Sequence, residues 1–497
     1  MTFKNKLSSQ LHWAARSWTV CCRWAGARWL WLIGSLLLVI LLFSLYCLAA
    51  SPYSNDSFVE SPFTTQYVNN QVILSKHFTP YIYRGWFFST IGYLEQLVTD
   101  VWARLQSPKE PAGSVDSIAA AIYAQRFDPN KPYLISGDQF DGLYLRNLSV
   151  FYQDLLDRHT AITVTDWHNR QRIALQSLAY ALVATQQLHY PVTTLLPISP
   201  RSVIALNFWN YPSDSMFSLF QLLQTLEADP ATKQAVLKLQ YDYGGGLTAA
   251  YQNYLTTVRD PETGLVRRNM HLSSARDAVQ RQSSFYDNVI LWKTEQLATA
   301  LGFAHVSNTQ LTALRNSILQ RYWDRAQDHF VDDMAAGDQH SYSSDWLIVL
   351  PTGFLNPNDP TDLIKLVELS RYIDEQHLTQ PLPIRYTAAT NAPEDFFVHF
   401  FVGSYGNTAI WSYWGDEYIG LEEQLYQQTR QPIYAQHIQT ALAAWGHVIV
   451  RDRGYPETLN AQGKMLETLF YESIRRNGWI VDYEAVKYDW DHLSTPG

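Results

Sequence analysis

Between residue 113 and residue 480, apolar residues recur at helical spacing in one segment after another, and no alternating run exceeds a few residues. The segments are 114–126, 141–157, 166–189, 213–228, 231–240, 246–258, 284–302, 309–323, 361–378, 405–428, 432–448 and 463–476, with Gly, Pro and Asp clusters between them. A succession close to twelve helices with no long strand among them predicts an all-α toroid of paired helices. No short repeat of the tetratricopeptide type is visible, but helix pairing recurs in such a toroid without the residues recurring.

The N-terminus follows a different rule. Trp29 to Ala50 is an uncharged apolar run long enough to cross a bilayer as a helix. Lys4, Lys6, Arg16, Arg23 and Arg28 precede it, and the first acid in the chain is Asp56. The positive-inside rule then makes 1–28 a cytoplasmic basic arm, 29–50 a single transmembrane helix, and everything beyond it extracytoplasmic, whether periplasmic or at the cell surface. A signal peptide cut near Cys47-Leu-Ala-Ala-Ser, or a lipoprotein cut before Cys47, is the rival reading. Residues 51–112 open on a Ser/Pro/Asn-rich stalk and become an aromatic packing segment, and 113–497 is the helical domain. Taking five positive charges off the net −9 leaves the outer portion at about −14, which excludes a nucleic-acid partner. Cys21, Cys22 and Cys47 all lie in the first fifty residues, so the outer portion has no disulfide framework or thiol metal site.

Aromatic residues make up 14% of the chain, and many fall in polar stretches such as WSYWGDEY. Rings beside carboxylates and amides suit sugars, whose C–H faces stack while their hydroxyls take hydrogen bonds. A large helical core also needs such rings. Sharper signals come from four stretches.

Ser283–Gly302 carries Asp287 in the first turn of a buried helix, where an acid is either a cap and dipole partner or a functional group. Its Tyr-Asp-Asn-Val-Ile-Leu-Trp at 286–292 resembles the acid-bearing helix of glycogen-debranching and glucoamylase-like glycosidases, the six-hairpin (α/α)6-barrel enzymes. That resemblance implies a toroid of this type and Asp287 as catalytic acid, with Tyr286 and Trp292 as neighbouring sugar-contacting rings. In 137–157, Asp141, Tyr144, Arg146 and Asn147 resemble the Leu-Arg-Asp segment that binds the terminal sugar in that family, with Asn147 where the family has Asp. The alternative for Arg146 is an ion pair with Asp141 or Asp154. In 399–425, Gly406-Asn407-Thr408 followed by Trp411 and Trp414 resembles the family's His-Asn-Gly-x-Val-Trp-Pro segment, with Tyr405 in place of the His. Asp416 and Glu417 are sugar ligands or solvated charges. Gly454-Tyr455-Pro456-Glu457 resembles the loop whose Glu is the catalytic base, and its alternative is an exposed turn.

Glycoside hydrolysis needs one protonated carboxyl and one ionised carboxylate, and the resemblance assigns these to Asp287 and Glu457. It implies inversion on α-glucosidic or related oligo- or polysaccharides, with no cofactor. The acids Asp328, Asp332, Asp333 and Asp338 lack the spacing of a calcium loop, so no metal is expected. Five alternatives stay open. The toroid could hold a catalytically inactive cell-surface sugar-binding protein. It could hold a phosphorylase using Arg276, Arg281 and Lys293, or a mannosidase, trehalase or lyase, the last with Tyr286 as base.

Overall fold

A computed structural model of the chain describes residues 60–497 apart from 129, 130, 161, 162, 208–210, 273, 277, 336–340, 390–393, 470 and 495–497, and also 34–36, 38, 39 and 42. Residues 1–55 and 56–497 form two units. In the first, the six described positions are helical and exposed. The rest of the expected 29–50 span, the 1–28 arm and the stalk up to 59 lie outside the described residues, and no described helix is long and apolar enough to cross a membrane.

The second unit opens with an antiparallel hairpin, β1 (Phe63–Val68) and β2 (Gln71–Lys76), followed by β3 (Tyr81–Tyr83) and α1 (Trp86–Gln106). The segment read as stalk and packing thus holds regular structure over most of its length. Then come α2 (Val115–Arg126), β4 (Leu143–Tyr144), α3 (Val164–Leu188), β5 (Thr194–Ser199), β6 (Ser202–Leu206), α4 (Asp214–Ala228) and α5 (Lys233–Val258). They are followed by α6 (Phe285–Ala300), α7 (Asn308–Tyr322), a short ladder of β7 (Trp323–Asp324) and β8 (His329–Phe330), and α8 (Val349–Thr352). The chain ends with α9 (Pro360–Glu375), α10 (Phe396–Phe401), β9 (Ile410–Trp411), α11 (Ser412–Thr429), α12 (Pro432–Asp452), β10 (Thr458–Leu459) and α13 (Ile480–Ser494).

Neighbour relations close a ring. The 3-10 turns at Leu145–Leu148 and Gln153–Leu156 carry the first inner position. The former packs on α4, α4 on α6, α6 on the Ser344–Ile348 turn and α8, that turn on α11, α11 on α13, and α13 on Gln153–Leu156. Outside them, α3 and α5 flank α4, α7 covers α6, α9 and α12 cover α11, and α2 lies against α12 and α13. Outer and inner elements alternate along the chain, which is the paired toroid, with two inner positions built from short turns.

Five expected helix segments are corrected. Segment 141–157 is strand and 3-10 turn because Leu143, Leu145, Leu148, Val150, Phe151, Tyr152 and Leu155 are all buried, so its apolar spacing marks enclosure rather than one helix face. Segments 231–240 and 246–258 are one helix. A Cβ on Gly246 would come 2.7 Å from Cα of Gln186 in α3, so the glycine there permits close helix approach instead of a break. The 405–428 helix begins only at Ser412, because Ile410–Trp411 pairs with Thr458–Leu459. Segment 463–476 is a folded loop with bridges Leu459↔Met465 and Glu467↔Glu472, and Arg475 and Arg476 are held in ion pairs with Glu472 and Asp138.

The all-α class is also modified by a four-stranded sheet in the order β3–β6–β5–β4, with β3 parallel to β6 and the other pairs antiparallel. Nearly every residue of β6 and the first four of β5 are buried, so no alternation marked them as strands.

Candidate active site

The loop Gly454–Leu459 is pinned at both ends. Gly454 faces Arg475, whose carbonyl oxygen would lie 2.5 Å from an added Cβ, and Thr458 pairs with Trp411. Between them the Glu457 N–H donates to the Ile474 carbonyl at 2.8 Å, and its carbonyl accepts from the Ser412 N–H at 3.0 Å. The carboxyl is therefore aimed by backbone on both sides. At 8% exposure it is not on an exposed turn, and it lines a cavity of about 230 Å³. The Tyr471 hydroxyl donates to Glu457 Oε2 at 3.3 Å.

Opposite elements complete the cavity. The 3-10 turn after β4 brings in Arg146 and Asn147, and β4 itself brings Tyr144. Arg146 Nη1 donates to the Ser274 carbonyl at 2.8 Å, and its Nε lies 3.5 Å from Asp214 Oδ1. Asp214 of α4 is thus a carboxylate partner of Arg146, where the sequence suggested Asp141 or Asp154. Asn147 Nδ2 donates to Ser136 Oγ. Trp411 lines the cavity with its indole N–H on the Tyr405 carbonyl at 3.0 Å, and its ring stacks on Trp479 at 6.0 Å. Apolar ring faces, a guanidinium, an amide and a carboxyl converge here as a sugar site requires.

A second carboxyl enters from an unexpected place. Asp100 of α1 lines the same cavity, its Oδ1 accepting from Gln96 Nε2 at 3.0 Å, while Gln96 Oε1 accepts from the Tyr144 hydroxyl at 3.3 Å. Burial pushes the Asp100 carboxyl up to about 8 against the opposing effect of the Gln96 hydrogen bond, and the charge of Glu457 adds to the rise. Asp100, Tyr471 and Trp479 were absent from the sequence-based site. A signal existed for Asp100: Gln96, Thr99 and Asp100 recur at spacings of three and four along one helix, a polar stripe beside buried Gly92 and Ala103.

The other expected site residues do not line this cavity. Asp287 accepts from Ser213 Oγ at 2.5 Å and Ser284 Oγ at 2.6 Å, and Ser284 Oγ in turn caps the Asp287 N–H at the start of α6. Such a cap is worth about 1 kcal/mol. The buried Tyr286 hydroxyl donates to Asp214 at 3.3 Å, and Trp292 meets Phe354 edge-on at 5.3 Å. Asn407 Oδ1 accepts from Arg276 at 3.2 Å, and Trp414 packs edge-on against Tyr386. Asp416 and Glu417 are buried rather than solvated, Asp416 accepting from the Tyr455 hydroxyl at 2.7 Å and Glu417 from Gln153. Burial raises the Asp141 carboxyl, which is coupled electrostatically to Glu95. Among the described residues no group of three or more His, Cys, Asp or Glu is arranged to hold a metal, and Asp338 lies outside them.

Burial raises several carboxyls together: Asp100 and Glu417 to about 8, Glu423 to about 9, and Asp416 and Asp482 well above the usual range. In the unfolded chain these groups lose their protons near pH of about 4. The folded state therefore binds more protons than the unfolded state between about pH 4 and pH 9, and stability falls as pH rises through that window. The melting temperature at pH 5 is expected to exceed that at pH 9 by at least about 5 °C. Calorimetry at the two pH values checks this, and equal or inverted melting would contradict it.

No family model and no curated protein matches the chain. Among solved structures it is similar to a cellobiose 2-epimerase from Bacillus thermoamylovorans, at 10% identity over 75% of this chain and 98% of that one, with a TM-score of 0.49. It is similar to a D-mannose isomerase at 11% identity over 77% and 97%, with a TM-score of 0.48. It is also similar to a GH63 mannosylglycerate hydrolase from Thermus thermophilus at 14% identity over 75% and 99%, with a TM-score of 0.46. These likenesses are too distant to assign a reaction, and the chemistry of the site rests on its own residues.

Proposed function

We propose that the chain is a carbohydrate-active enzyme of the six-hairpin type that hydrolyses a glycosidic bond in the cavity around Glu457. The observation that carries this is a backbone-fixed carboxyl standing among Trp411, Trp479 and Tyr471 with Arg146 and Asn147 in the same cavity. Rings there give a sugar's C–H faces a surface to stack on, and Arg146 and Asn147 offer polar groups to its hydroxyls. Glu457 acts as base: ionised, it takes a proton from a water that attacks the anomeric carbon. The leaving oxygen needs a proton donor as well. Asp287, the acid of the sequence reading, holds Ser213 and Ser284 outside this lining.

The finer reading is an inverting enzyme acting on α-glucosidic or related oligo- or polysaccharides, anchored by an N-terminal span with its catalytic domain extracytoplasmic. Its support is the order of short motifs along the chain and the charge pattern around 29–50. Incubating the full chain in detergent with α- and β-linked oligosaccharides, followed by NMR of released sugars, tests the proposal. Release of sugar with inverted anomeric configuration is expected. Absence of turnover across the panel would remove the hydrolase reading.

A further inference from the structure

Helix α1 precedes the ring of outer and inner elements, yet it forms part of the cavity wall. Arg104 Nε donates to the Thr468 carbonyl at 3.2 Å and its guanidinium lies 3.5 Å from Glu467, while Tyr93 donates to the Asn207 carbonyl at 2.8 Å. Gly92 sits so close to Leu206 of β6 that an added Cβ would fall 2.9 Å from its methyl groups. The helix is thereby fastened to the sheet on one side and, on the other, to the loop that carries Tyr471. Between these anchors Asp100 reaches the cavity that Glu457 also lines.

We infer that Asp100 is the proton donor of the reaction, so that a helix outside the toroid supplies one half of the catalytic pair and Glu457 the other. This rests on the hydrolase reading. The hydrogen bonds place the proton. Tyr144 donates to Gln96 Oε1, which turns the Gln96 amide nitrogen toward Asp100 Oδ1 and makes that oxygen an acceptor. The acidic proton therefore belongs on Oδ2. Burial favours the protonated form, and so does the charge of Glu457. Glu95 on the same helix and Asp141 beyond it are further carboxyls in this electrostatic neighbourhood, while Arg104 on α1 and Arg146 in the cavity are the cations. Tyr144, Tyr405 and Tyr471 are the phenols, and burial pushes up the ionisation of Tyr144 and Tyr471.

The step balances. Asp100 gives its proton to the glycosidic oxygen as the bond from that oxygen to the anomeric carbon breaks. Water forms the new bond to that carbon and gives a proton to Glu457. An alcohol and a free sugar leave, and the proton on Glu457 returns to Asp100 through solvent.

A leaving group that needs no proton separates this role from a structural one. The full chain and its Asp100→Asn variant are compared on an oligosaccharide of the panel and on the glycosyl fluoride of the same sugar, whose fluoride departs without protonation. Asp100→Asn is expected to lose at least about 100-fold in kcat on the oligosaccharide and to stay within about threefold of the parent on the fluoride. The basic limb of the oligosaccharide pH profile is expected to vanish with it. Equal loss on both substrates, or no loss on either, would overturn the inference. Asp100→Ser is measured alongside, so that misfolding of one variant does not decide the outcome. Asp287→Asn serves as comparator: a leaving-group-dependent loss there, and none at Asp100, would move the acid to Asp287. If the parent turns over neither substrate, the hydrolase reading falls and this inference falls with it.

Discussion

Glu457→Gln is expected to lower kcat by about 10³-fold with little change in KM, because the amide keeps the size of the side chain and an acceptor for Tyr471 but cannot take a proton from water. The loop makes this a clean experiment. Its backbone bonds to Ile474 and Ser412 and the Thr458–Trp411 pairing do not involve the carboxyl, so the melting temperature should move by no more than about 3 °C. Steady-state kinetics on a turned-over oligosaccharide, with a melt of the same sample, give both numbers. A variant with parent-like kcat would mean that Glu457 is not the base. A rise in KM alone would make it a sugar ligand.

The largest effect on stability is expected behind the cavity, where charge is buried with little room for compensation. Arg276 and Arg281 share Asp332, Arg281 also bonds Asp345 at 2.6 Å, and all four side chains are nearly inaccessible. Arg276 reaches the Gly406 carbonyl at 2.5 Å, and Arg281 reaches Ser274 Oγ at 3.1 Å. The carbonyl of that same Ser274 holds Arg146 in the cavity wall. Asp332→Asn removes the carboxylate that the two buried guanidinium groups share, and breaking such a network costs about 3–5 kcal/mol. Denaturant unfolding at pH 7 should show a loss of that size, and the surviving folded fraction should bind sugar more weakly through displaced Arg146. A loss below about 1 kcal/mol would show that neighbouring groups compensate the network.

How far the sequence reaches into this structure depends on how many faces of a segment are covered. Where one face meets solvent, periodicity locates the helix closely: 114–126 is Val115–Arg126, and 309–323 is Asn308–Tyr322. Where a segment is enclosed on all sides, apolar residues fall at every spacing, so 141–157 imitates a helix and β5–β6 shows no alternation. The site divides along the same line. Glu457 was picked out by the resemblance of Gly454-Tyr455-Pro456-Glu457 to a family loop, and its carboxyl lines the cavity. Its neighbours Tyr471 and Trp479 were not, because the chain from 463 to 476 folds back through isolated bridges that no local pattern encodes. Asp287 was read as a cap and dipole partner or a functional group, and the structure makes Ser284 the cap, with Asp287 accepting from its hydroxyl. Asp100 lay within an aromatic stretch read as packing, and only the polar stripe through Gln96 and Thr99 distinguished it.

The central claim is that sugar chemistry takes place in the cavity lined by Glu457. The most direct measurement is proton NMR of an oligosaccharide incubated side by side with the full chain, with Glu457→Gln and with Asp287→Asn, following anomeric signals over time. Release of sugar by the parent, with none above background from Glu457→Gln, is the predicted result. Release at the parent rate by Glu457→Gln would place the reaction elsewhere in the protein and contradict the account.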